Sequence, residues 1–171
     1  MTLIELMVAA AVGSLVFAVV ASMFLYFGKS FAALTNYAEL DSTGRFALDQ
    51  MTTDIRQANR LTSYATNQIV FEMVASGATN NLTYRYDSAG GTLVRIYAGQ
   101  TRTLLTEIVS NSLSFSMFQR NPVGGTVDQY ATSNPALCKV VQLSWICSRS
   151  ILGKKSTSES VQSAKIVIRK E

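Results

Sequence analysis

At 171 residues with a formal charge of +4, the chain is sized for one modest domain plus an additional element, not for two full domains. Its mild, scattered positive charge gives little pull toward nucleic acid or anionic surfaces. The chain has no histidine, which removes the usual general base and the commonest metal ligand, so Ser- and Cys-nucleophile triads lose their customary proton acceptor.

The first element is an apolar helix. From Leu6 to Phe27 there are 22 residues without a charge. At about 1.5 Å per residue they reach roughly 33 Å, enough for a hydrocarbon core of about 30 Å. A secretory signal would need a basic n-region, a shorter apolar stretch and a small-residue cleavage site. This run passes instead through Gly28 and Lys29 into further helical sequence, so a membrane span is expected. Its many alanines, with Gly13, Ser14 and Ser22, suit helices that pack closely on one another.

Glu5 stands at the head of that run. Thr2-Leu-Ile-Glu5 fits a capping box, in which the threonine and the glutamate satisfy orphan amides at a helix start. The helix dipole also favours a carboxylate there, by about 0.3–1 kcal/mol. In a membrane or a dry helical bundle, however, an acid is costly and takes a specific partner. The nearest cation is the α-amino group of Met1. If copies stack with an axial stagger, Glu5 of one copy meets the amine of its neighbour.

Beyond Gly28 the pattern stays helical but acquires a second surface. Leu48, Met51, Ile55 and Ala58 recur every three or four residues, predicting a stripe packed on a core. Arg45, Asp49, Asp54 and Arg56 are expected to face water or neighbours, and Glu39, Asp49 and Asp54 read as a solvated face, not a metal cluster. No proline interrupts Met1 to Arg60, so a single helix of about 58 residues, roughly 85 Å long, is expected.

The remainder alternates with period two. Leu82, Tyr84 and Tyr86 oppose Thr83, Arg85 and Asp87, then Ser88-Ala-Gly-Gly91 turns the chain into Thr92–Tyr97, a hairpin signal. Ser112–Met117 alternates cleanly, Val141, Leu143, Trp145 and Cys147 share a face, and Ile166 and Ile168 mark a closing strand. Gln119–Leu137, with both prolines and a Gly-Gly pair, and Ser148–Ser160, basic and serine-rich, read as long loops. The fold class expected is α+β, one long helix packed on an antiparallel sheet.

Cys138 and Cys147 lack zinc-site spacing. A disulfide closing a loop of about ten residues would stabilise by roughly 2–3 kcal/mol; the alternative is two buried free thiols. Gly90-Gly91 and Gly124-Gly125 are turn pairs without the helix or lysine of a phosphate loop. Arg149, Lys154, Lys155, Lys165, Arg169 and Lys170 form either a basic patch able to hold DNA or scattered solubilising charge. No catalytic constellation, metal site or cofactor site assembles from the sequence, and no enzyme is expected.

Thr2-Leu-Ile-Glu-Leu-Met-Val-Ala9 resembles the mature N-terminus of type IV pilins and of the pilin-like subunits of type II secretion. The likeness is dense over Met1–Phe27. It implies N-methylation of Met1 after removal of a leader, and neutralisation of that amine by Glu5 of an adjacent subunit. Many of these pilins carry a proline near position 22 that helps the helix unwind; this chain has Ser22, which moves any weak point to Gly13-Ser14. The run Gly44–Ala58, the Leu82–Val94 hairpin and Val167-Ile-Arg169 resemble, more loosely, minor pilins of the PilW type and the J-type pseudopilin. The resemblance implies a pilin fold, with residues 1–28 as filament-core and membrane half of the helix. Residues 29–171 would be the head, comprising helix to about residue 61 and sheet and loops over 66–171.

The functional expectation is a structural subunit of a pilus-like filament, assembled as a helical homo-oligomer. By resemblance it is processed by a prepilin peptidase, handled by inner-membrane assembly machinery, and held in the inner membrane with the head outside the cytoplasm before incorporation into an extracellular filament. Alternatives are a minor tip pilin, a secretion pseudopilin, a DNA-uptake subunit, and a simple anchored domain in which Glu5 only caps.

Overall fold

The computed structural model describes residues 2–75, 77–120, 129–150 and 159–168. Helix α1 runs unbroken from Leu3 to Gln57, about 82 Å at 1.5 Å per residue. Thr2 caps its start, and Ala58 leaves it in extended conformation while its N–H still donates to Ile55 O at 3.2 Å. The helix therefore stops short of residue 61. Arg60–Ala65, expected to be helix end and connector, is strand β1. It is drawn off by pairing with β2 (Gln68–Ala75): Asn59 N donates to Glu72 O at 2.9 Å, and Arg60 meets Glu72 at 2.6 Å.

The head holds two antiparallel sheets where one was expected. The first is a meander in which β1, β2, β3 (Ala78–Asp87), β4 (Thr92–Tyr97) and β5 (Gln100–Leu105) lie in chain order. The expected hairpin is its centre, with Tyr86 opposite Leu93 and Tyr84 opposite Arg95. Gly91 makes the turn possible at φ +60°, where a Cβ would lie 3.0 Å from the Ile108 carbonyl oxygen.

The second sheet orders β6 (Ser114–Arg120), β7 (Gln129–Ala131), β8 (Val140–Ser148) and β9 (Glu159–Val167) as β7-β6-β8-β9. Both expected loops thus shrink. Gln119 and Arg120 extend β6, residues 129–131 form β7, and Pro135–Leu137 make one 3-10 turn. Ser148 pairs with Glu159. The middles of these loops, residues 121–128 and 151–158, lie outside the described residues.

Residues 107–109 join the two sheets. Ile108 N donates to Gly91 O, Val109 N to Ile146 O, and Ser148 N to Glu107 O, all within 3.0 Å. Tyr64 Oη adds a bond of 2.8 Å to Phe115 O. The helix packs on both through Leu40, Gly44, Ala47, Met51, Asp54 and Ile55. Those residues meet the inward faces that period two predicts: Leu82, Tyr84 and Tyr86, and Val141, Leu143, Trp145 and Cys147, all buried.

Candidate assembly surface

Among the described residues, the head leaves most of the N-terminal part of α1 uncovered. Among the described residues none before Leu40 is buried, and the apolar window that is long enough to cross a membrane has none of its residues buried. Large apolar side chains are exposed all round it, from Leu3 and Ile4 through Phe17, Phe24 and Phe27. The exposure does not stop at Lys29: Phe31 is 72 % exposed, Leu34 65 % and Tyr37 46 %. Among the described residues, the first polar grip of the head on the helix comes at Asn36 and Glu39, both reached by Arg149.

Glu5 takes part in a complete capping box. Thr2 N donates to Glu5 Oε2 at 2.7 Å, and Glu5 N donates to Thr2 Oγ1 at 3.3 Å. The cap occupies one carboxylate oxygen and leaves Oε1 without a bond among the described residues. Met1, the other half of the expected contact, lies outside them. Gly13 and Ser14 sit in continuous helix, the Ser14 hydroxyl donating back to Ala11 O at 2.8 Å.

The head holds polar contacts that the sequence reading missed. Asp54, expected on the solvated face, is 5 % exposed. Its carboxylate accepts from Tyr84 Oη at 2.5 Å, Arg95 Nε at 2.6 Å and Gln50 Nε2 at 3.1 Å. Burial, then the bond to Asp54, pushes the Tyr84 phenol far above its ordinary range, and the same carboxylate raises Arg95. The signal was present in the sequence. Arg95 shares strand parity with Leu93 and Tyr97, so the pleat carries its guanidinium toward the core, where it requires an acid.

Arg149 is also committed. Its guanidinium bonds Glu107 at 2.9 Å and Glu39 at 2.7 Å, and these bonds, Glu107 first, raise its pKa. It therefore serves as a clasp between β8's end and the helix, not as part of a free basic patch. Lys165 lies over the Phe118 ring at 5.0 Å on the second sheet. Lys154, Lys155, Arg169 and Lys170 lie outside the described residues. Among the described residues no three carboxylates or thiols converge to hold a metal.

The expected disulfide is not made; Cys138 and Cys147 are free and buried. Cys138 precedes β8 and Cys147 sits near its far end. At about 3.3 Å per residue the strand separates them by more than 20 Å, against the 4.4–6.8 Å between Cα atoms that a bridge requires, on the order of a quarter of the span. Burial raises both thiols, Cys147 to about 11 with help from the Glu107 charge.

Compared with family models, curated proteins and solved structures, the chain gives no match. What the geometry establishes is a long apolar N-terminal helix, of a length and character suited to a membrane, followed by an antiparallel head. That is the outline which the N-terminal resemblance implies.

Proposed function

We propose that the chain is a structural subunit of a pilus-like extracellular filament, polymerising through its N-terminal helix from a pool held in the membrane. The observation that carries this reading is the length of the bare apolar surface. From Leu3 to Tyr37 the helix rises about 51 Å, whereas one hydrocarbon core covers about 30 Å. A lipid anchor leaves the remainder, with Phe31 and Leu34, in water. Neighbouring copies of the same helix cover all of it. In this reading Glu5 neutralises the Met1 amine of an adjacent copy, the head projects outward, and the work is non-covalent assembly, not catalysis.

A second reading, a membrane-anchored domain that never assembles, draws on the capping box at Thr2 and Glu5, since it gives the carboxylate a sufficient task within one chain. Two variants separate the readings. Glu5→Gln keeps a capping box, which accepts Gln at that position, but removes the charge; Glu5→Ala removes both. Surface filaments are sheared, counted by negative-stain microscopy and compared with the membrane-inserted pool. Assembly predicts filaments from the wild type and at least tenfold fewer from both variants, with insertion unchanged. Wild-type filament yield from Glu5→Gln rejects the role of the charge, and no filaments from the wild type rejects the reading itself.

A further inference from the structure

We infer that the notch between α1 and the end of β8 holds one anionic phospholipid, its phosphate on Lys29 and its hydroxylated headgroup against Asn36 and Ser150. The inference rests on the membrane-held pool of the proposed function and not on polymerisation. A groove of about 510 Å³ runs up this side of the helix to Ser150. At 3.6 residues per turn, Gly28 and Ala32 lie between Phe24 on one side and Lys29 and Asn36 on the other, so small residues form its floor. A Cβ on Gly28 would meet nothing within 4 Å, and that floor is open. Phe24 and Leu25, 72 % and 69 % exposed, wall the lower end. At the upper end Lys29 is exposed, while Ala32 and Asn36 are half-buried.

Along the helix axis the lining runs apolar, then cationic, then hydrogen-bonding. A phospholipid presents acyl chain, phosphate and alcohol in the same order. A hydrocarbon core of about 30 Å, centred on the uncharged run Leu6–Phe27, ends near Tyr26 at about 1.5 Å per residue. Phe24 and Leu25 lie inside that boundary. Headgroups occupy about 5–7 Å beyond it, a layer that takes in Lys29, and Asn36 stands roughly 10 Å farther along the axis. Lys29 forms no ion pair among the described residues. The next carboxylate along the helix, Glu39, already holds Arg149 at 2.7 Å, and Glu107 takes the same guanidinium at 2.9 Å. Among the described residues, the unmatched positive charge at the notch is therefore that of Lys29, and beside an apolar wall it calls for an anion. Asn36 lends its amide oxygen to Arg149 at 3.3 Å and keeps two N–H donors. With the Ser150 hydroxyl they suit a glycerol-type headgroup, whereas a choline headgroup brings a second cation beside Lys29.

Native mass spectrometry of the full chain in neutral detergent reads the site, with phosphatidylglycerol, phosphatidylcholine and chain-free glycerol phosphate each offered at one concentration. The wild type is expected to retain one phosphatidylglycerol, about fivefold more than phosphatidylcholine, and no glycerol phosphate. Lys29→Gln should lower the phosphatidylglycerol adduct by about the same factor. Gly28→Leu fills the groove floor and leaves every charge in place, and leucine is the better helix former; it should lower the adduct as far. Lys165→Gln, on the second sheet beside Phe118, should leave it unchanged, and Trp145 emission checks the fold of each variant. Equal retention of the two lipids, or glycerol phosphate bound as well as either, overturns the inference. So does an adduct indifferent to Lys29→Gln or to Gly28→Leu, or one lowered equally by Lys165→Gln. None of these results bears on polymerisation, which the filament counts decide separately. A chain absent from the membrane fraction overturns the membrane-held pool and the inference with it.

Discussion

Replacing Asp54 by alanine tests whether the buried carboxylate is what holds the helix to the first sheet. The side chain retains 7 % exposure and Arg95 20 %. Its loss leaves the Tyr84 hydroxyl buried without an acceptor, which costs about 1–3 kcal/mol. It also leaves the Arg95 guanidinium without its acid, and breaking a buried pair in this way costs about 3–5 kcal/mol. These figures overlap, and a fifth of Arg95 still reaches water, so the lower end applies: about 3 kcal/mol. The chain has one tryptophan, Trp145, 1 % exposed, whose emission reports unfolding of the full chain in neutral detergent under urea. With an m-value of about 1–2 kcal/mol/M for a head of this size, the midpoint falls by roughly 1.5–3 M. Asp54→Leu with Tyr84→Phe and Arg95→Met removes the carboxylate and its two shortest donors, leaving only the half-buried Gln50 amide, and should recover most of the loss, because apolar replacement of a whole buried ion pair is often neutral or better. A midpoint for Asp54→Ala within 0.5 M of wild type, on the order of experimental scatter in such extrapolations, refutes the argument.

Gly91→Ala is expected to destabilise the head by more than about 1 kcal/mol, since alanine there must adopt a positive φ and crowd the Ile108 carbonyl oxygen at 3.0 Å; equilibrium unfolding checks it. Both thiols should resist a maleimide in the folded chain and react on denaturation, and intact mass should correspond to two free cysteines, whereas a mass two hydrogens lighter restores the disulfide. Cys147 is raised from 9.0 to about 11 in the folded chain. Its contribution is therefore fully present below about pH 9 and lost as pH climbs toward 11, with Tyr84, also raised, adding to the loss at the upper end; unfolding midpoints at pH 8 and pH 11, taken as approximate brackets of that window, should fall in that order. Arg149→Ala breaks a clasp whose Glu39 side chain is 61 % exposed, so global stability should change by less than about 1 kcal/mol, while amide exchange near Asn36–Leu40 accelerates.

The elements legible in the sequence are those set by neighbours along the chain. The helix announced itself through a proline-free run with the Thr2–Glu5 cap. The β3–β4 hairpin did so through alternation around Gly90-Gly91. Strand β1 was hidden because the helix ends without glycine or proline; only the extended backbone at Ala58 and the reach of Asn59 to Glu72 mark the change. The division into two sheets was hidden for a different reason. It depends on pairings such as Ser114 with Ser144, which no local pattern encodes. The cysteine expectation contained its own contradiction. If Val141, Leu143, Trp145 and Cys147 alternate as one strand, that strand is extended, and Cys147 cannot also close a short loop onto Cys138.

Charge was harder to read than hydrophobicity, because the same side chain serves opposite ends depending on which face it occupies. Asp54 lies three residues after Met51 and four before Ala58, on the buried stripe itself, so helical spacing alone gave its burial; only its polarity argued for water. Arg95 repeated the pattern from the strand side, and two inward charges of opposite sign identify each other once both faces are drawn.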